Sequence, residues 1–123
     1  MSEKVHSYKE LRVWQGAMDL VETVYRLSSK LPPEEIYGLR SQLRRAAASV
    51  PCNIAEGQSR TSTREFINHI SMARASLAEV ETQIEISKRL SYLSSEEVET
   101  VLSAIQALGR QLHALRKALE ARK

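Results

Sequence analysis

Residues 44–57 read RRAAASVPCNIAEG, and the fold turns on whether this stretch is one helix or two. The small and apolar positions Leu43, Ala46/Ala47, Val50, Ile54 and Gly57 recur at three- and four-residue steps and keep their phase across Pro51. That is the period of one buried helical stripe. A proline inside a helix removes a backbone hydrogen bond and clashes with the carbonyl four residues back, at a cost of about 3 kcal/mol. The rival reading is two helices meeting at Val50, since the residue before a proline is biased toward extended backbone. No turn-forming residue precedes Pro51, so the sequence predicts one helix, kinked at Pro51. Followed back through Leu39 and Ile36, the stripe gives a helix over about residues 33–59. Pro33 sits in its first turn, and Glu34 and Glu35 suit the positive end of the helix dipole.

The flanking segments carry the same period. Trp14, Ala17, Met18, Val21, Val24 and Tyr25 share a face of a helix over about 10–29, which the run LPPEE at 31–35 terminates. Ser62 with Glu65, and Ser94 with Glu97, each have the spacing of a capping box. They open helices over about 62–92 and 95–121. The first has the stripe Phe66, Ile70, Ala73, Leu77, Val80 and Ile84. The second has a regular seam of Val98, Val101, Ile105, Leu108, Leu112, Leu115 and Leu119. Acids open this last helix and bases close it, as the dipole favours. The expected architecture is all-α: one domain over residues 1–123, an antiparallel up-down-up-down four-helix bundle.

Composition agrees. Apolar residues make up 42% and charged residues 27%, while aromatics are only 5%, with Gly 4 and Pro 3; that disfavours both a disordered chain and a β sandwich. Lys and Arg number 18 against 15 acids, and the net charge of +3 is spread along the chain rather than clustered. A single cysteine, Cys52, allows no internal disulfide and fits a reducing compartment; its apolar sequence neighbours suggest a packed thiol. The first residues, MSEKVHSYKELRVW, have no apolar leader, and no long apolar run follows. The expectation is therefore a cytoplasmic protein that does not enter a membrane.

The second faces of two helices are unusual. Opposite the core stripe of the second helix lie Arg45, Ser49, Asn53 and Glu56, among small residues. Opposite that of the third lie Met72, Glu79, Gln83, Ile86 and Leu90. Ordinary solvated faces would carry more Lys and Glu, and exposed Met, Ile and Leu would be poor design. These residues are expected to line an oligomer interface with another copy of the chain, the polar ladder forming contacts in a tight helix–helix seam. The bland alternative is a solvated face on a helix bent by chance.

Chemistry is scarce. A di-metal bundle site needs two Glu-x-x-His motifs; only Glu3 and His6 have that spacing, His69 and His113 lack it, and no phosphate-binding glycine loop occurs. No catalytic residue, metal site or cofactor is expected. Glu65 and His69 are at i, i+4, a spacing more often found in a surface pair than in a metal site. For nucleic acid the candidates are Arg40 and Arg44, one turn apart, and Arg60 and Arg64 toward the other end of the helix and the start of the next. In one copy they make a weak patch. An assembly would repeat them.

Taken together, LRVWQGAMDLVETVY, IYGLRSQLRRAAASVPCNIAEG, and EFINHISMARASLAEVETQIEIS followed by LSYL resemble the four-helix-bundle proteins encoded within intervening sequences of bacterial 23S ribosomal RNA genes. The resemblance covers about residues 8–115. It implies a bundle that assembles into a ring, typically a pentamer. It also implies a distant similarity to the accessory protein of diversity-generating retroelements, a basic pentameric barrel that binds nucleic acid and a reverse transcriptase. The function expected from residues and resemblance together is a non-enzymatic homo-oligomer that binds the backbone of RNA or DNA, with a nucleic-acid enzyme as a further candidate partner. The rival is a protein–protein scaffold with no nucleic-acid binding; a metal-dependent or hydrolytic enzyme ranks below both.

Overall fold

The computed structural model describes residues 7–122; His6 and Lys123 lie outside them. Its α-helices are α1 (Arg12–Ser28), α2 (Leu39–Ser59), α3 (Thr63–Arg89) and α4 (Ser95–Arg122), with short 3-10 turns at Tyr8–Glu10 and Pro33–Glu35. Each helix packs on its neighbour in sequence, and α1 closes against α4. The buried apolar side chains form one cluster along the axis, including Val24, Leu43, Ile54, Ile70, Ile84 and Leu112. This is the predicted four-helix bundle.

α2 runs unbroken through Pro51, whose ring is buried among the core residues. Of the expected α4 seam Val98, Val101, Ile105, Leu108, Leu112 and Leu119 are buried, and Leu115 is half-buried against the core. On α1 the buried stripe is rotated. Val13, Ala17, Leu20 and Val24 point inward, while Trp14 is half-buried against the ring of Tyr8 and Met18 and Tyr25 are exposed. Two adjacent apolar stripes occur on this helix, and contact with α2 and α4 selects between them. A similar choice on α3 buries Ile67 and leaves Phe66 at the edge of the core.

α2 begins at Leu39, later than the periodicity suggested, and Ile36 is exposed rather than in the core. The reason is a cap supplied by side chains. The Glu35 carboxylate accepts the backbone N–H of Leu39 at 2.9 Å with one oxygen and the Tyr92 hydroxyl at 3.0 Å with the other. A Cβ at Gly38 would stand 2.8 Å from that capping oxygen, so glycine makes room for the cap. The bond to Glu35 also holds the Tyr92 phenol above its usual pKa.

The α3–α4 join is encoded locally. Ser91 takes a left-handed backbone, φ 64°, and the N–H groups of Tyr92 and Ser91 donate to the carbonyls of Ser87 and Lys88. This is the Schellman pattern of helix ends. Ser94 and Glu97 then cap each other's backbone N–H at 2.9 and 3.1 Å. Lys30, at the end of α1, pairs with Glu97. That side-chain contact, with the Ser94 N–H, lowers the Glu97 carboxyl to about 2.

Candidate functional site

Arg40 and Arg44 lie on the face of α2 that looks toward the end of α1, and much of their hydrogen-bonding capacity is committed there. Arg40 donates from Nε to the Ser28 carbonyl at 3.1 Å and from Nη2 to the Leu31 carbonyl at 2.8 Å. Arg44 donates from Nε to the Ser28 hydroxyl at 2.7 Å and stacks 4.7 Å over the Tyr25 ring. Ser28 and Leu31 are buried. These guanidiniums therefore satisfy backbone and hydroxyl groups just where α1 ends. Arg45 is exposed, and reaches Ser41 at 3.3 Å. The three arginines, with Tyr25, Ile36 and Ser41, line one hollow of about 390 Å³ that has no carboxylate in its wall.

Arg60 and Arg64 are exposed at the other end of α2 and in the first turn of α3. At 1.5 Å per residue Arg60 is roughly 30 Å from Arg40 along the helix. The four arginines thus make two separate clusters in one copy. Arg60 shares a hollow of about 500 Å³ with Cys52, Ala55, Glu56 and Ser59. Cys52 is exposed there, not packed as its sequence neighbours suggested: Ala47, Val50 and Ile54 turn inward and leave it on the outer face.

Much of the polar ladder on α2 finds partners within the chain. The Ser49 and Ser76 hydroxyls are 2.8 Å apart. Asn53 donates to the Ser49 carbonyl and hydroxyl at 3.0 and 3.1 Å, and its Oδ1 is 3.3 Å from His69 Nδ1. Glu56 approaches the same imidazole nitrogen at 3.5 Å. His69 thus faces α2 rather than pairing with Glu65. Small residues let these backbones approach: a Cβ at Gly57 would fall 2.7 Å from His69 Cβ and 2.9 Å from the Phe66 ring. Of the ladder, Arg45 and Glu56 keep exposed side chains, whereas Ser49 and Asn53 are half-covered.

On α3 and at its C-cap, Met72, Ile86 and Leu90 are 51%, 41% and 51% exposed, and Glu79 is exposed on the same helix. Gln83 is only 7% exposed, and it borders a hollow of about 440 Å³ with Gln42, Ala75, Glu79 and Ile86. Its Nε2 reaches Gln42 at 3.5 Å, but its buried Oε1 has no hydrogen-bond partner. A buried acceptor left unpaired costs about 1–3 kcal/mol.

A groove between α3 and α4 was not legible in the stripes. Arg74, Arg110 and His113 line it beside Leu77, Ile105 and Gly109, in an open hollow of about 680 Å³. The signal that marks it is Gly109, a glycine interrupting an otherwise regular helix.

No group of three or more His, Cys, Asp or Glu side chains is placed to hold a metal ion, and no helix is long and apolar enough to cross a membrane, among the described residues.

A family model described as 23S rRNA-intervening sequence protein matches residues 9–114. A crystal structure from Bacteroides thetaiotaomicron, described as a protein with unknown function from the S23 ribosomal protein family, superposes with a TM-score of 0.80 at 22% identity, covering 85% of this chain and 98% of that one. At that identity the likeness speaks for the fold. No curated protein matches the chain.

Proposed function

Since the chain belongs to the 23S rRNA-intervening sequence protein family, we propose that it is a non-enzymatic bundle that assembles with copies of itself, in the cytoplasm, and binds the backbone of RNA or DNA. The observation that carries the binding reading is the hollow walled by Arg40, Arg44 and Arg45 with no carboxylate. The bonds from Arg40 and Arg44 to the end of α1 hold two of these guanidiniums in place, so little side-chain freedom remains to be lost when a phosphate arrives. Arg45 supplies an exposed charge beside them. The family's name, taken from a ribosomal RNA element, is consistent with RNA as the ligand.

Self-assembly is supported by the exposed Met72, Ile86 and Leu90 on α3 and by the unpaired Gln83 Oε1 at their margin. A neighbouring copy seated on this face would cover the apolar side chains and offer a donor to Gln83. Several copies would repeat the arginine hollow, and repeated weak phosphate contacts sum through effective concentration.

The test is fluorescence anisotropy with labelled single-stranded RNA and duplex DNA, alongside light scattering. The expected mass is a multiple of 13.9 kDa, a pentamer being the expected size. Log affinity should fall with log salt by about 0.7–0.9 per phosphate contacted. Arg45→Glu, which leaves the bonds of Arg40 and Arg44 to α1 intact, should weaken binding about tenfold or more without changing the mass. No binding by the wild type at low salt would overturn the nucleic-acid reading and leave a protein–protein scaffold in its place. A monomer at high concentration would overturn the assembly reading.

A further inference from the structure

The groove between α3 and α4 has a built polarity. The two helices are antiparallel neighbours joined by a short link, so Arg74 on α3 lies level with Arg110 and His113 on α4, away from the link. Glu81 lies level with Ile105 and Gln106, toward it. From Arg74 to Glu81 the groove runs roughly 10 Å at the rise of an α-helix. One end is therefore cationic, the middle is apolar, and the far end carries a carboxylate and an amide.

The cations are uncommitted. Among the described residues neither Arg74 nor Arg110 enters an ion pair, whereas Arg40 and Arg44 are tied to the end of α1. The floor is open by choice of residue. A Cβ at Gly109 would meet Leu77 at 3.7 Å, an ordinary van der Waals contact. Alanine would therefore fit without strain and would favour the helix. Close packing does not require the glycine; its effect is to deepen the groove beside Leu77 and Ile105.

We propose that this groove binds a small amphiphilic anion. A phosphate, sulfonate or carboxylate head is held by the guanidiniums of Arg74 and Arg110 and by an N–H of His113. An apolar or aromatic body lies over Leu77, Ile105 and Gly109. The groove is open to solvent, and its volume of about 680 Å³ is in the range of small-molecule sites. Glu81 argues against a polyanion, because a nucleic-acid strand following the groove would bring further phosphates onto its carboxylate. The site is separate from the arginine hollow on α2, so either can fail without the other.

The probe is 8-anilinonaphthalene-1-sulfonate, which carries a sulfonate head on an aromatic body and fluoresces when its body leaves water. The full chain at low salt should give a saturable rise with one site per chain. Octyl phosphate should displace the dye, and inorganic phosphate at the same concentration should not, which separates head-plus-body recognition from a simple anion site. Arg74→Ala with Arg110→Ala should weaken binding about tenfold or more. Gly109→Leu, which fills the floor, should abolish it with helicity and oligomeric mass unchanged. The Met72→Ser variant should bind as the wild type does, showing that the dye is not on the exposed α3 face. Wild-type affinity in the arginine double variant overturns the proposal, whatever the fate of Gly109→Leu. So does displacement by inorganic phosphate alone, or a signal that Met72→Ser removes.

Discussion

α3 has two flanks, and they are built to opposite specifications. Against α2 the approach is close: a Cβ at Gly57 would collide with His69 and Phe66, and Ser49, Asn53, Ser76 and His69 join hydroxyl, amide and imidazole across the seam. Against α4 the approach is loose: a Cβ at Gly109 fits, and Arg74 and Arg110 stand over open space. Each flank holds a glycine, Gly57 near the end of α2 and Gly109 midway along α4, yet one permits contact and the other leaves a gap. A small residue in a helix has no packing meaning until the residue facing it is known.

The widest separation between the flanks should come from these glycines. Gly57→Ala is expected to destabilise by about 1–3 kcal/mol, because the neighbours are Cβ and ring atoms that cannot swing aside. The midpoint of urea unfolding should drop accordingly; an unchanged midpoint would mean the seam is looser than the geometry states. Arginines give the next contrast. Arg40→Ala deprives the buried Leu31 carbonyl of its donor and leaves the Ser28 carbonyl with only the Leu31 N–H, at a cost of about 1–3 kcal/mol. Arg74→Ala should change stability by less than about 0.5 kcal/mol. Equal costs would erase the distinction between committed and uncommitted cations. Gly109→Ala should stabilise by about 0.5–1 kcal/mol through helix propensity, read as a rise in Tm, and a loss would show that the groove floor is tighter than described.

The smallest effect concerns Glu97, at the α1 edge of α4. Contact with the Lys30 side chain and the Ser94 N–H lowers its pKa from 4.5 to about 2. A carboxyl depressed in the folded state stabilises fully above its ordinary value, and that contribution fades as pH falls through the folded one. Between pH 4.5 and about 2, then, wild-type stability should fall more steeply than that of Glu97→Gln. Chemical melts through that window measure the difference; parallel curves would show that the pair is inert, as many exposed ion pairs are.

Much of the fold could be read from the chain because its decisive signals are local. The α4 seam, the Ser62 cap, the Ser94–Glu97 capping box and the passage of α2 through Pro51 each depend on residues within a turn or two of one another. What escaped was decided at a distance. Whether Trp14 or Val13 faces the core of α1 depends on α2 and α4, and the start of α2 depends on a carboxylate shared with Tyr92. The candidate sites divide in the same way. The spacing of Arg40 and Arg44 places them on one face, but only the geometry reveals that the end of α1 engages them. Arg74, Arg110 and His113 lie on two helices, far apart in sequence, and no window along the chain joins them. The polar ladder was visible as a ladder, but its partner helix could not be chosen without coordinates.

The link from Leu90 to Ser94 bears on how quickly the chain finds its shape. A stop signal at Ser91 and a start signal at Ser94 stand side by side, so the α3–α4 hairpin needs only a short loop to close before its contacts form. Closing a short loop has a small entropic barrier, and chains rich in such local contacts fold fast. The α1–α4 contacts, which join the two ends of the chain, must wait for a much larger loop. The expectation is a transition state with the hairpin largely formed and α1 still undocked. Ser94→Ala should then slow folding, whereas Ala17→Gly on α1 should chiefly hasten unfolding.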